Sequence, residues 1–237
     1  MNGPSPELIA GLASRGIELD AGDLATLSTF LDLLAEANTR FNLTAIRDRT
    51  QAWERHIADS LELLPYLASA QAEGERLRVA DVGTGGGMPG LVLACVMPDA
   101  DFTLVESVGK KARFLGDAAR ALGLRNVRVD QRRAEDLGQD HRSTREQFDA
   151  VTSRAVARLP LLLELCLPLV RPGGVMLTIK GEQAAAEVAE SAYELGELRG
   201  AVVDQVRTPT GTVVVIEKTG RTPRTWPRGA TQRPSRS

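Results

Sequence analysis

The stretch ADVGTGGGMPG, residues 80–90, sets five glycines and a proline into eight positions directly behind an apolar run. Both residue types weaken the interior of a strand or helix, so the backbone itself must be needed bare at this point. Where a β-rich run feeds a glycine loop and then a helical pattern, the loop lies at the carboxyl end of the first strand of a doubly wound sheet. Ligands there approach backbone N–H groups closely. The loop alone leaves two readings open. Gly83, Gly85 and Gly87 fit the GxGxG of an adenosylmethionine site, and Gly85, Gly87 and Gly90 fit the GxGxxG of a dinucleotide site.

Working outward from the loop, the chain beyond Gly74 alternates short β-rich runs with helical patterns such as VGKKARFLGDAARALG. The runs are LRVADV, DFTLVE, NVRVD, FDAVTS, GVMLTIK, GAVVDQV and TVVVIEK. This alternation predicts a mainly parallel sheet with helices on both faces. Only RTPTG separates the last two runs, so they are expected to form an antiparallel hairpin, which departs from the ordinary dinucleotide fold. Ahead of Gly74 the rhythm is helical. Leu24, Leu27, Phe30, Leu31 and Leu34 recur at helical spacing over 20–37, and Trp53, Ile57, Leu61 and Leu64 repeat the pattern over 50–64. The expected organisation is a helical extension over 1–73, a cofactor-binding domain over 74–218 and a flexible basic tail over 219–237.

Composition narrows the function class. With 43% hydrophobic and 25% charged residues among 237, the chain reads as soluble and globular, and no run is long or apolar enough to span a membrane. Lacking a secretory signal pattern, it is expected in the cytoplasm, as a monomer by default. Cys95 and Cys166 lie inside apolar segments and suggest buried thiols, with neither a disulfide framework nor a metal site. The net charge of -2 conceals a tail from Lys218 onward with five arginines and no acid, and a second basic group between Arg120 and Arg133. Each suits an anionic partner or a solvated face equally.

Glu106, closing DFTLVE, is placed to accept ribose hydroxyls under either cofactor reading. The rest of the chain separates the two. Asp81 ahead of the loop, an acid in RAED, and LPLVRPGGVMLTIKG leading into the hairpin suit a class I (Rossmann-like) methyltransferase. Its expected α/β fold is a seven-stranded, mostly parallel sheet with one antiparallel strand, plus the helical extension. Pro89, lacking an N–H, fits poorly in a pyrophosphate loop, so Pro89 and Gly90 read better as the start of the next helix.

FNLTAIRD (41–48), RHIADSL (55–61), DVGTGGGMPG (81–90), RAED (133–136), SRAVA (153–157) and IKGE (179–182) occur in this order. Together they resemble the bacterial ribosomal RNA small subunit methyltransferase G family, with a likeness running from about Asn42 to the TPRTWPR stretch. Gly86 and Met88 stand where that family commonly has Ala and Leu or Phe, and neither change removes a backbone donor. The resemblance implies methyl transfer from S-adenosyl-L-methionine to N7 of a guanine in 16S rRNA, acting on the small ribosomal subunit or its assembly intermediates. It also implies that Gly83, Gly85 and Met88 line the cofactor, Glu106 holds the ribose, Ala134 and Glu135 flank the adenine, and Arg154 faces the methionine end. Arg154, Lys180, His56, Asp59 and Asn42 become candidate catalytic residues. Arg133, Arg221, Arg224 and Arg228 become RNA contacts, and Trp226 a stacking platform. Three alternatives are a small-molecule methyltransferase active without RNA, an NAD-dependent oxidoreductase and a non-catalytic RNA-binding module.

Overall fold

A computed structural model describes residues 3–72 and 74–228. Ser5 accepts a hydrogen bond from Leu8 N to cap α1 (Pro6–Ala13), and a reciprocal Asp20–Asp23 box opens α2 (Ala21–Asn38). Next come α3 (Arg49–Ala52), a π-helical turn (Trp53–Ala58) and α4 (Asp59–Leu61), which continue one another. After them comes α5 (Leu64–Ala70). The helix expected over 50–64 therefore ends early. Pro65 in the first turn of α5 has no N–H to continue the preceding ladder, so the chain restarts there.

The alternating region gives β1 (Arg78–Val82), α6 (Gly90–Val96), β2 (Asp101–Val105), α7 (Gly109–Ala121), β3 (Val127–Asp130), α8 (Ala134–Gln139) and β4 (Phe148–Arg154). It continues with α9 (Leu159–Cys166), β5 (Val170–Lys180), α10 (Ala184–Glu190), α11 (Ala192–Leu198), β6 (Gly200–Arg207) and β7 (Thr212–Lys218). One seven-stranded sheet results, ordered β3-β2-β1-β4-β5-β7-β6. Strands β1 to β5 pair in parallel, and β7 runs antiparallel to both of its neighbours. The single antiparallel strand and the closing hairpin are as the sequence predicts. The strand order reverses between β1 and β4, which puts the switch-point crevice at the glycine loop.

Period-two alternation sends neighbouring side chains to opposite faces. Val213 and Val215 of β7 join one apolar cluster, and Val214 and Ile216 join the other. The first cluster also contains Leu12, Leu27, Phe30, Trp53, Ile57 and Leu61, so the N-terminal helices share the core on this face of the sheet: α2 packs on α6 and α7, α4 on α6, and α5 against β4 and β5. Each such fully buried side chain contributes about 1.5–3 kcal/mol of transfer free energy. This packing fixes the helix bearing His56 and Asp59 over the carboxyl edge of the sheet.

The expectation of a flexible tail needs correction for residues 219–228. Trp226 is only 4% exposed, within the second cluster. The Arg145 guanidinium donates to the carbonyls of Gly138, Thr222, Pro223 and Trp226. Lys218, buried, donates to Leu167 O, Val170 O and Thr222 Oγ1. The remainder of that tail, 229–237, lies outside the described residues.

Candidate active site

Strand β1 delivers Asp81 and Val82 to the crevice, where Gly83, Gly85 and Gly87 take φ of 72°, 58° and 102°. At Gly85 that left-handed backbone disfavours any residue with a side chain. A β-carbon there would meet nothing nearer than Gly83 O at 3.8 Å, so the residue opens onto free space. Gly90 is needed for a different reason, close packing. Its β-carbon would lie 2.5 Å from that of Asp81 and 2.6 Å from Leu104 Cδ2.

Asp81 ties the loop together. Its Oδ1 accepts from Thr152 Oγ1 at 2.8 Å and its Oδ2 from Gly90 N at 3.0 Å. Complete burial pushes its carboxyl up to about 6, opposed by those hydrogen bonds. Glu106, just past β2, accepts from Gly85 N at 3.0 Å and Val108 N at 2.8 Å, joining the loop to the next strand's end. Because the Gly90 N–H is taken by Asp81 and Pro89 has none, the α6 N-terminus offers little to a pyrophosphate. That removes the physical basis of the dinucleotide alternative.

Facing the loop across a cleft of about 440 Å³ is a polar constellation from distant parts of the chain. Arg154, at the end of β4, donates through Nη2 to His56 Nδ1 at 3.3 Å and through Nη1 to Arg55 O. The Arg154 Nη1 also lies 3.7 Å from Asp59 Oδ2. Because a guanidinium only donates, we assign His56 Nδ1 as the accepting nitrogen and Nε2–H as the donor to Thr44 Oγ1 at 2.8 Å, with the nearby Arg55 carbonyl opposing. Burial, followed by the Arg154 charge, pulls the His56 pKa down to about 4, so the ring is neutral at pH 7. Asp59 is pushed the other way, up to about 6, by burial against the opposing pull of Arg154. Its Oδ1 also accepts from Thr210 Oγ1 in the β6–β7 loop. His56 and Asp59 sit at the π-helical turn, a feature frequent at functional sites.

The structure brings Gly83, Gly85, Met88, Arg154, His56 and Asp59 to this cleft. Glu106, Ala134 and Glu135 lie outside its lining, along the carboxyl edge where β1, β2 and β3 are neighbours. Arg133, exposed, is the cap residue of α8, and Arg221 and Arg224 are exposed beyond β7. Four expectations meet a different arrangement. Asn42 is exposed and outside the cleft lining, whereas Asn38 bonds Leu43 N, Thr44 N and Thr44 O and thereby holds the loop that carries Thr44. Lys180 touches the cleft, but its ammonium donates to Ala157 O at 2.8 Å and pairs with Glu187 at 2.7 Å. Because Glu187 also accepts from Leu159 N, Lys180 secures the loop after β4. Trp226 is buried, with the Arg228 guanidinium 4.2 Å above its ring, and Arg228 pairs with Glu164 at 2.9 Å. Neither is presented as an RNA contact, because both are spent on anchoring the chain.

Sequence reasoning missed Thr44, Asn38 and Thr210. FNLT carried the first in plain sight, whereas Thr210 comes from 151 residues beyond Asp59 and leaves no local trace. Among the described residues, no helix is long and apolar enough to cross a membrane.

The profile of the family described as GidB, rRNA small subunit methyltransferase G, matches residues 23–210. A ribosomal RNA small subunit methyltransferase G of Sorangium cellulosum is 47% identical over 216 residues, covering 91% of this chain and 88% of that protein. Its namesake from Desulfitobacterium hafniense is 40% identical over 232 residues, covering 94% of each. Among solved structures, a Thermotoga maritima SAM-dependent O-methyltransferase aligns with a TM-score of 0.53 at 18% identity, over 80% of this chain and 72% of its own. A mutant of MtNAS, in complex with S-adenosylmethionine, aligns with a TM-score of 0.56 at 16% identity, over 84% and 77%. These two support the Rossmann-like class I fold, and the closer relatives settle the family. This chain belongs to the rRNA small subunit methyltransferase G family.

Proposed function

We propose that the chain transfers a methyl group from S-adenosyl-L-methionine to N7 of a guanine in the 16S RNA of the small ribosomal subunit. One observation carries the reading: the glycine loop and a charge-compensated, base-free constellation face each other across one cleft. The residues fit the cofactor, since Gly85 leaves open space above its backbone and Glu106 stands at the end of the second strand. Gly83, Gly85 and Met88 would line it, Glu106 would take its ribose hydroxyls, Ala134 and Glu135 would flank its adenine, and Arg154 would meet its methionine end. When bound, it supplies a sulfonium-activated methyl group.

Guanine N7 presents a lone pair, so the acceptor needs no deprotonation. His56 agrees with that requirement: Nδ1 accepts from Arg154 and Nε2–H is given to Thr44, leaving no free basic nitrogen. Its role is to orient. Methylation leaves the guanine cationic, and a bare arginine nearby would oppose the charge. Asp59 compensates Arg154 and adds negative potential on the side where positive charge develops. Rate enhancement then comes from holding N7 in line with the methyl group. Arg133, Arg221 and Arg224, joined by exposed Arg55 at the cleft mouth, would meet RNA phosphates.

The test is transfer of labelled methyl to small subunits and free 16S RNA from a strain lacking the endogenous enzyme, followed by N7-specific strand cleavage. Label with cleavage at one guanine is expected. Transfer to small molecules alone, without RNA, would replace this reading with a small-molecule methyltransferase.

A further inference from the structure

The Thr44 hydroxyl has a donor left over. In the His56 tautomer assigned from Arg154, its oxygen accepts from Nε2–H at 2.8 Å and from Ile46 N at 3.1 Å, which occupies both lone pairs. Its proton has no acceptor among the described residues, and the half-buried side chain lines the cleft. The threonine cannot swing away freely. Asn38 grips its backbone on both sides, accepting from Thr44 N at 3.0 Å and donating to Thr44 O at 2.9 Å.

Several other donors at this wall already have partners. Arg154 is held by Arg55 O, His56 and Asp59, Lys180 by Ala157 O and Glu187, and Thr210 by Asp59. Arg55 and Lys111 also line the cleft, Arg55 exposed at its mouth where phosphates would run, and a neutral hydroxyl donor to the base suits a reaction whose product is a cation. On guanine the atom beside N7 is O6, an acceptor, whereas adenine shows an N6 amino donor in that place.

We propose that the Thr44 hydroxyl donates to O6 of the target guanine and is the residue that rejects a 6-amino purine. This rests on the N7 reading above. With both lone pairs of Thr44 filled, an amino group would face a donor and find no acceptor. Rejection by a mismatched polar pair of this kind is stronger than rejection by shape alone. His56 acts here as a positioning residue, because its Nε2–H keeps one lone pair of Thr44 occupied.

The test uses small subunits reconstituted with guanine, hypoxanthine or 2,6-diaminopurine at the position methylated by the wild-type protein. Hypoxanthine retains O6 and N7, and diaminopurine retains N7 but replaces O6 with an amino group. For the wild type, kcat/KM on diaminopurine is expected about 100-fold below guanine, with hypoxanthine close to guanine. Thr44→Val should shrink the guanine-to-diaminopurine ratio to within about tenfold, and Thr44→Ser should keep it. Adenosylhomocysteine affinity, measured by calorimetry, should stay within about threefold in both variants. Comparable wild-type rates on guanine and diaminopurine would overturn the proposal without any variant. A Thr44→Val ratio that stays high would overturn it as well, and a fall in adenosylhomocysteine affinity alongside would show that the proton serves the cofactor instead. If the wild type methylates no RNA at all, the functional reading fails first.

Discussion

Replacing Arg154 with alanine separates a catalytic role from a structural one, because the structure limits how much stability the change can cost. The side chain is 14% exposed and its nearest carboxylate, Asp59, is 10% exposed, so breaking the pair looks severe. Asp59, however, has an escape. Its carboxyl titrates at about 6, so at pH 7 the ionised form is preferred over the protonated one by only about 1.4 kcal/mol. Once protonated, Asp59 no longer needs the cation, and the loss transmitted through it cannot much exceed that figure. The donations to Arg55 O and His56 Nδ1 add about 1 kcal/mol each. Release of Arg154 from its own desolvation, which holds its pKa below the usual value, offsets part of the total.

The expected loss of stability is about 2 kcal/mol at pH 7.5. A folded-state pKa above the unfolded one means that Asp59 contributes stability fully at low pH and loses it as pH rises through about 6. Without Arg154 that pKa climbs further. The gap between wild type and variant should therefore close between pH 7.5 and 5, as both come to carry a protonated Asp59. Methyl transfer should fall about 100-fold or more in the folded variant, with the charge and positioning group gone from the cleft. Urea unfolding at both pH values and single-turnover transfer to small subunits measure the two quantities. A loss above about 4 kcal/mol that does not vary with pH, with normal transfer by the folded fraction, would refute the reasoning.

Gly85→Val should cost about 1–2 kcal/mol in unfolding free energy from its φ of 58°, yet abolish adenosylhomocysteine binding by calorimetry because the side chain enters the open cleft. Retained affinity would remove the loop from the cofactor site. Trp226→Ala should lower stability by about 3–5 kcal/mol in chemical denaturation while leaving the RNA affinity of the folded protein unchanged, and a selective loss of RNA binding would restore a stacking role. Nitrogen NMR of His56 should report a neutral ring protonated at Nε2 down to pH 5, and titration near the ordinary histidine value would contradict the hydrogen-bond assignment.

How much of this was legible depended on whether a residue's partners lie nearby in the chain. The glycine loop, Glu106 at the end of β2 and the closing hairpin announce themselves through spacing, because backbone conformation and strand period are local. The arrangement of Arg154, His56 and Asp59 needed the family likeness, since 98 residues separate the histidine from the arginine. The fates of Lys180 and Trp226 were not legible. A lysine in IKGE and a tryptophan between arginines look exposed, and only the fold supplies Glu187, Ala157 and the apolar bed beside Leu137 and Leu165. Asn42 was an error of another kind. The polar residues of FNLT are read together in sequence, yet the loop points Thr44 to the cleft and turns Asn42 to solvent.

The same charges predict how methyl transfer responds to acid. Asp59 faces Arg154 and Thr210, with Arg55 and Glu62 close enough to act on its charge, and it titrates at about 6. His56 stays neutral until about 4, so across pH 5–8 the constellation changes by one proton, on Asp59. Below pH 6 Arg154 loses its compensating charge while the guanine still has to become cationic. For charges on the order of 7 Å apart at an effective dielectric of about 20, losing Asp59 costs the transition state about 2 kcal/mol, roughly thirtyfold in rate. Asp81 also titrates at about 6, but it holds the glycine loop through Gly90 N, so its protonation should appear in cofactor affinity. At saturating cofactor, single-turnover transfer is expected to fall by one proton below pH 6 in the wild type. In Asp59→Asn it should run flat at the low-pH rate. An acid limb that survives in Asp59→Asn would show that another group supplies the charge, and would shift the compensation of Arg154 away from the helix that carries His56.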